Sequence, residues 1–384
     1  MRVIMYEPNG RGGHALYTLR LVNALAQDGC TVHLCTTHDY AYRDRLSPSV
    51  DLVDVLAPRR WMQANRLTRA FRQIVDTGRR NRLVKQLGPE VIHLQVVYPA
   101  LDWWALRWLR SYNKPSIVIT VHNVIPHEAS WFRSPEVVRQ SYSLASGIVV
   151  HSTGLARKLS RDFALEVPIS VIPFGPHVYD GIRVTRSAAR ESLGIPQSAY
   201  VVLLFGVLRP NKGLLVALGG LQHIGPGVPV RLLVAGSASA KQRTQVQRLV
   251  TDLGVRDRVD LHLGYVPDSK VAYYYGACNV VALPYTSFEA QSGVLIDAYA
   301  FERPVIVSNV GALGETVRED RTGLVIEKGD AGAFAQAIRD AYNMQLGIEE
   351  NNWAMRTLVE TKYSWRAAAA RTISFYNEIL RATV

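Results

Sequence analysis

Two carboxylates, two cations and a histidine stand in this sequence where they can meet a ligand. Glu289 and Asp297 lie eight residues apart in "LPYTSFEAQSGVLIDAYAF", where an apolar strand ends, a polar loop follows and a helix begins. Ser292 can serve as N-cap of that helix, and Gly293 leaves its mouth open to close approach. Asp297 is four residues past Gly293 on the same face. Helical side chains tilt toward the N-terminus, so it leans toward the loop that holds Glu289. Leu295 occupies the capping-box position, so neither acid is spent there. Two carboxylates beside a helix N-terminus suit a ligand bearing both hydroxyls and phosphate. The plain alternative is a loop glutamate and a solvated helix aspartate. In "FGVLRPNKG", Arg209 and Lys212 can share one diphosphate and stabilise charge developing on a phosphate leaving group; incidental loop charge is the alternative. His122 follows a buried-type strand in "TVHNVIPHE", where a ligand role competes with a structural one. His122, His127 and Glu128 match no standard metal spacing.

The elements that position these residues alternate. Apolar strands occur at "VIMYEP", "TVHLCTT", "VIHL", "SIVITV", "GIVVHS" and "ISVIPF", then at "VVLLFG", "VRLLVAG", "VDLHLG", "VVALPY" and "PVIVSN", with helical segments between. Strands alternating with helices predict doubly wound parallel sheets, α/β in class, and continuous apolar runs fit strands covered on both faces. Such sheets bind ligands outside the carboxyl ends of their strands. That rule gathers Glu7, Asn9, the glycines of "GRGGHA", His122, Asn123, Arg209, Lys212, Tyr265 and Glu289 at the same ends of two sheets, which would border an interdomain cleft. "GRGGHA" matches G-x-G-x-x-A, and Asp39 stands where a ribose-binding acid of a dinucleotide enzyme would. Glycines in a strand-to-helix turn serve any phosphate equally. A sugar phosphate, NAD and a plain tight turn all remain open on the motif alone. The break falls in the polar stretch Gly175–Ser198, dividing the chain into 1–180, 181–360 and a last helix over 361–384.

The chain has 384 residues, 48% hydrophobic and 20% charged, enough for two cores. "MRVIMYEP" is a strand pattern rather than a secretory leader, and no apolar run approaches membrane-spanning length. Cys30, Cys35 and Cys278 are an odd count without metal-ligand spacing, which suits a reducing cytoplasm. The net charge of +12 favours polyanionic partners. Between Arg59 and Lys85 there are nine basic residues and one acid, Asp76. Leu67, Phe71, Ile74 and Val75 share a helical face there, with Arg66, Arg69, Arg72, Arg79 and Arg80 opposite. This predicts a core helix with a solvated basic face, or a surface for an anionic membrane. No nucleic-acid module accompanies the patch, so none is expected as partner.

Taken together and in order, "GRGGHA", "TVHNVIPHE", "VIPFG", "GVLRPNKG", "VDLHLGYVPDSKVAYYYGACNVVALPY", the E-x7-E-like segment and "RPVIVSNVGALGETVREDRTGLVI" resemble the retaining glycosyltransferases of the GT4-type family over nearly the whole chain. The resemblance implies a GT-B fold, with two Rossmann-like domains facing a cleft, the first on the acceptor side. It implies transfer of a hexose-type sugar from a UDP- or GDP-sugar to an acceptor hydroxyl with the anomeric configuration kept. His122 would lie beside the transferred sugar, Arg209 and Lys212 would hold the diphosphate, and Glu289 would bind sugar hydroxyls. Gly12 and Gly13 would approach phosphate or acceptor. Tyr265 and Val266 would border the base, Ser292 and Gly293 would offer N–H groups to the diphosphate, and Asp297 would bind the ribose. Glu7, Asn9 and Asn123 are acceptor-side candidates. No cofactor is implied, and with no D-x-D triplet no metal is implied. The expected setting is cell-surface or extracellular polysaccharide or lipid-linked glycan synthesis, cytoplasmic or peripheral at the inner membrane face. A soluble small-molecule acceptor is the alternative; a non-catalytic nucleotide-sugar-binding protein and an NAD-dependent oxidoreductase are rivals of another class. Two departures stand out: "E-A-Q-S-G" replaces the usual "E-G-F-G", and Asp297 is one methylene shorter than the usual Glu.

Overall fold

The computed structural model describes residues 1–58, 65–97, 99–111, 115–122, 135–177, 181–225, 227–289, 291–346 and 353–382. The chain forms two compact units, Met1–His177 with Tyr363–Val384, and Val178–Lys362. In the first, strands β1 (Arg2–Glu7), β2 (Thr31–Thr37), β3 (Val50–Leu56), β4 (Val91–Leu94), β5 (Ser116–Thr120), β6 (Gly147–Val150) and β7 (Ile169–Val171) alternate with helices α1 (Gly12–Gln27), α2 (Arg66–Leu87), α3 (Pro99–Ser111), α4 (Pro135–Tyr142) and α5 (Thr153–Phe163). After α6 (Arg186–Leu193), the second unit runs β8 (Tyr200–Phe205), α7 (Leu214–Gln222), β9 (Val230–Ala235), α8 (Ala240–Asp252), β10 (Val259–His262), α9 (Asp268–Ala277), β11 (Val280–Leu283), α10 (Gly293–Ala300), β12 (Val305–Ser308), α11 (Leu313–Asp320), β13 (Gly323–Ile326), α12 (Ala331–Asn343) and α13 (Trp353–Thr361). The last helix, α14 (Trp365–Ala382), belongs to the first unit.

Both sheets are parallel throughout. Their orders are β3-β2-β1-β4-β5-β6-β7 and β10-β9-β8-β11-β12-β13. The order reverses beside β1 in one and beside β8 in the other, so the crevices at their carboxyl ends open next to Glu7 and Phe205. Strands such as "VIHL", "GIVV" and "VVAL" are buried along their whole length, as a sheet covered on both faces requires. β3 was not among the strands expected from the sequence. It is the edge strand, and Asp51 and Asp54 interrupt its apolar run. α6 fills part of the polar break, with Thr185 accepting from Ala188 N and Gly194 in the left-handed conformation at its end. Among the described residues no helix is long and apolar enough to cross a membrane.

The phase of α2 is the reverse of that expected from its apolar residues. Phe71 and Ile74 are 63% and 62% exposed, whereas Arg80 is fully buried. Leu83 and Val84 seat the helix on the sheet. Arg80 then reaches Asp102 of α3 at 3.2 Å and lies 5.0 Å over the Tyr6 ring, so a buried charge pair takes the place of apolar packing. Asp76 turns inward as well, accepting from Ala57 N at 3.0 Å. The side chains of Leu67, Arg66 and Arg69, and residues 59–64 of the basic stretch, lie outside the described set.

Under α1 and α14 the first unit buries several histidines. His93 has its Nδ1 2.5 Å from Tyr376 Oη of α14 and its Nε2 2.6 Å from Thr120 Oγ1. Burial lowers His93 to about 3, and His177 to about 3, with neighbouring His151 adding to both. Burial likewise lowers His151 to about 4. These groups fold neutral but take up protons near pH 6.5 once unfolded. Their stabilisation is complete above about pH 6.5 and is lost as pH falls toward 4 for His151 and toward 3 for His93 and His177, on the order of 1 kcal/mol or more per buried histidine at pH 5. Calorimetric melting temperature is therefore expected to fall steeply between pH 7 and 5; a flat profile would count against neutral buried histidines.

Candidate functional site

The carboxyl edge of the first sheet is built on backbone ties. Glu7 is fully buried at the end of β1. Its carboxylate accepts from Asn9 N at 3.0 Å and Gly10 N at 2.8 Å. Glu7, a candidate for ligand contact, thus shapes the glycine turn itself, and Asn9 supplies a backbone donor to it. Gly12 and Gly13 open α1, which begins without a side-chain cap, so its first-turn N–H groups point out of the turn toward any anion placed there. Asp39, the possible ribose acid of a dinucleotide site, instead lies 3.6 Å from Arg11.

His122 follows β5 and stacks on His14 of α1, with centroids 4.3 Å apart. Its Nδ1 is 3.3 Å from His151 Nε2, and its Nε2 is 3.1 Å from the Gln95 amide. His151 Nδ1 faces the carbonyl of Ile172 at 2.9 Å, so that nitrogen carries the proton. His151 Nε2 is then an acceptor, and His122 Nδ1 must donate to it. His122 Nε2 is left as acceptor but faces Gln95 Oε1, while Gln95 Nε2 lies 2.9 Å from Met5 Sδ, so that contact is a hydrogen bond only with the Gln95 amide exchanged end for end. Burial first, then the neighbouring histidines, holds His122 well below its usual value. The result is a neutral imidazole of fixed tautomer, matched to hydrogen bonding and not to charge. Gln95 and His151 escaped notice in the sequence, where nothing marks them beyond their places at strand ends. Asn123, His127 and Glu128 lie outside the described residues.

In the second unit the cation loop and the acid loop interlock. Arg209 precedes the 3-10 turn Pro210–Lys212 and is exposed. Asn211 Nδ2 donates to Ser287 O at 2.9 Å, and Thr286 N donates to Asn211 O at 3.0 Å. Gly213 has φ +73°, and a Cβ there would sit 1.7 Å from Pro284 O. Lys212 Nζ donates to Tyr285 Oη at 2.5 Å and lies 3.9 Å from that ring's centroid. Tyr285, buried at the exit of β11, was not singled out in the sequence. It uses one of three ammonium donors and leaves two for a ligand.

Beyond Tyr285 the loop carries Glu289, which is exposed. Gly311 supports it from the next strand exit: its φ is +53°, and a Cβ would meet Phe288 O at 2.1 Å. Ser292 holds the N-cap position of α10, but its hydroxyl makes no capping bond. The expected side-chain cap is therefore absent; Leu295 N turns back to Ser292 O at 3.1 Å, and the N–H groups of Gly293 and Val294 are left to other acceptors. Asp297 is only 4% exposed, and its charge acts on Tyr275 of α9, whose hydroxyl burial chiefly pushes up. Tyr265 is 77% exposed past β10, with Val266 half-buried after it. Among the described residues no three His, Cys, Asp or Glu side chains are grouped to hold a metal ion. Gly311→Ala is expected to lower the melting temperature and to speed amide exchange over 286–289, while Gly78→Ala, with open space around it, is not; equal behaviour of the two would contradict the loop's dependence on Gly311.

Comparison with known proteins places this geometry in a family. Residues 185–357 match the family described as glycosyl transferases group 1, and residues 12–175 the glycosyl transferase 4-like domain. A D-inositol 3-phosphate glycosyltransferase of Paenarthrobacter aurescens is 24% identical over 96% of this chain and 93% of its own. One from Corynebacterium urealyticum is 28% identical over 74% of this chain and 69% of its own. Among solved structures, sucrose-phosphate synthase from Thermosynechococcus elongatus superposes with a TM-score of 0.82 at 23% identity, covering 100% of both chains. HepE of Anabaena, solved in complex with UDP, gives 0.75 at 16% identity, covering 98% of this chain and 100% of its own. With one family match on each unit and GT-B structures as fold neighbours, the chain belongs to the group 1, GT4-type glycosyl transferases.

Proposed function

We propose that the protein is a retaining, metal-independent glycosyltransferase that moves a hexose-type sugar from a UDP-sugar to a hydroxyl of a small polyol acceptor in the cytoplasm. The observation that carries the reading is the interlock of residues 209–213 with residues 284–289, which ties a half-buried ammonium to the loop of an exposed carboxylate. In this reading Lys212 and Arg209 take the diphosphate, Glu289 the sugar hydroxyls, and Gly12, Gly13, Ser292 and Gly293 frame the phosphates with backbone N–H groups. Tyr265 and Val266 border the base. His122, neutral and with both ring nitrogens engaged by His151 and Gln95, lies beside the transferred sugar. Asp297 reaches the ribose only if ligand binding uncovers it, so it is assigned the smaller share.

As the bond from the anomeric carbon to the phosphate oxygen breaks, negative charge grows on the diphosphate, where Arg209, Lys212 and helix N-termini act in place of a metal. The acceptor oxygen bonds the same face of the carbon, and its proton passes to the departing phosphate oxygen. The names of the relatives support a small phosphorylated polyol as acceptor over the cell-surface or lipid-linked glycan expected from the sequence. HepE, solved with UDP and with UDP-glucose, supports a uridine nucleotide.

The test is a thermal-shift screen of UDP, GDP, ADP and their sugars, followed by transfer to myo-inositol phosphates with NMR assignment of the product's anomeric configuration. Stabilisation by UDP-sugars and a retained configuration are expected; an inverted product would overturn the mechanism. Lys212→Ala or Glu289→Ala is expected to lower turnover by about 100-fold or more, the scale of losing one preorganised electrostatic contact. Tyr285→Phe keeps the ring beneath Lys212 and removes the hydroxyl; a loss of about 10-fold in turnover is expected. The same change should be silent when Lys212 is already alanine. Equal losses in both backgrounds would show that Tyr285 does not act through Lys212.

A further inference from the structure

The outward surface of α2 and α3 is unlike the rest of the first unit. Phe71, Ile74, Arg82 and Lys85 follow helical spacing along one stripe of α2, all exposed. On α3, Trp104 is 71% and Trp108 38% exposed, with Arg107 and Arg110 exposed beside them. The two helices lie side by side in one layer, since Leu83 and Val84 of one and Leu106 and Leu109 of the other enter the same core. Both described acids of these helices are withdrawn from the surface: Asp76 is 8% exposed on Ala57 N, and Asp102 is fully buried against Arg80. The outer face therefore mixes large apolar side chains with cations and presents no described carboxylate.

We propose that this face docks on an anionic lipid surface. Trp and Phe suit the headgroup boundary, where an aromatic body is buried while polar groups stay wet. Ile74 beside them adds apolar area, and Arg82, Lys85, Arg107 and Arg110 meet lipid phosphates. Charge complementarity selects this occupant. A second copy of the chain would set one basic face against another. A nucleic acid would pair with the cations but leave Phe71 and Ile74 buried against a charged backbone. The surface is separate from the donor loops of the second unit, so the inference does not depend on the proposed acceptor.

The experiment is co-sedimentation of the full chain with vesicles of phosphatidylcholine alone or with about 30% phosphatidylglycerol, at low and high salt. Binding is expected only to the anionic vesicles, falling as salt screens the cations. The surface variants Arg82→Glu/Lys85→Glu and Phe71→Ser/Ile74→Ser should each reduce the bound fraction by about 10-fold or more. The thermal shift with UDP-sugar should stay at the wild-type value, which separates lost docking from lost folding. No sedimentation at low salt, or equal sedimentation of wild type and variants, would overturn the proposal. So would a dimer that the same variants dissociate, which assigns the face to a second copy, or a duplex-DNA gel shift that they abolish without any vesicle dependence.

Discussion

Residue 213 has no side chain, and the carbonyl oxygen of Pro284 occupies the space where one would be. That contact brings the exit of β8 against the exit of β11, and the rest of the second unit's ligand edge is arranged around it. With the backbones this close, Asn211 can reach Ser287, Thr286 can reach Asn211, and Lys212 can lie across Tyr285. A flexible lysine becomes a half-buried ammonium of defined direction. Much of the entropy of ordering its long side chain is therefore spent on folding and not on binding. The loop that leaves Tyr285 then carries Glu289, braced from the other side by Gly311. Cation and carboxylate are positioned by one piece of backbone.

The first unit uses a different economy. Its described edge carries a set of neutral imidazoles between α1, the strand ends and α14, besides the Arg11–Asp39 pair. The proton on His151 is fixed by the Ile172 carbonyl, and the assignment propagates to His122 and then to Gln95. A neutral ring held at both nitrogens is fixed in place without carrying charge. Fixed charge thus marks the described edge of the second unit, and neutral imidazoles that of the first.

Much of this was legible in the sequence, and the failures have physical causes. Strands buried on both faces announce themselves as apolar runs, and the strand-end rule gathered His122, Arg209, Lys212 and Glu289 at the sheet edges. β3 escaped because an edge strand faces solvent and admits Asp51 and Asp54. The phase of α2 was misjudged because periodicity counts apolar residues, whereas Arg80 and Asp102 bury each other and turn Phe71 and Ile74 outward. Glu7 was gathered with the ligand candidates, and its carboxylate also accepts from two N–H groups of its own turn. Tyr285, Gly213 and Gly311 act through contacts between strand exits far apart in the chain, which spacing within one segment does not encode.

The central claim is that Lys212, held on Tyr285, binds the diphosphate of the donor. Titration calorimetry with UDP and with uridine, on wild type and on Lys212→Met, tests it most directly. The account predicts that the substitution weakens UDP by about 10-fold or more, as expected for losing a charge-assisted contact to phosphate, and leaves uridine unchanged. Equal affinity of Lys212→Met and wild type for UDP, or an equal loss for uridine, would contradict it.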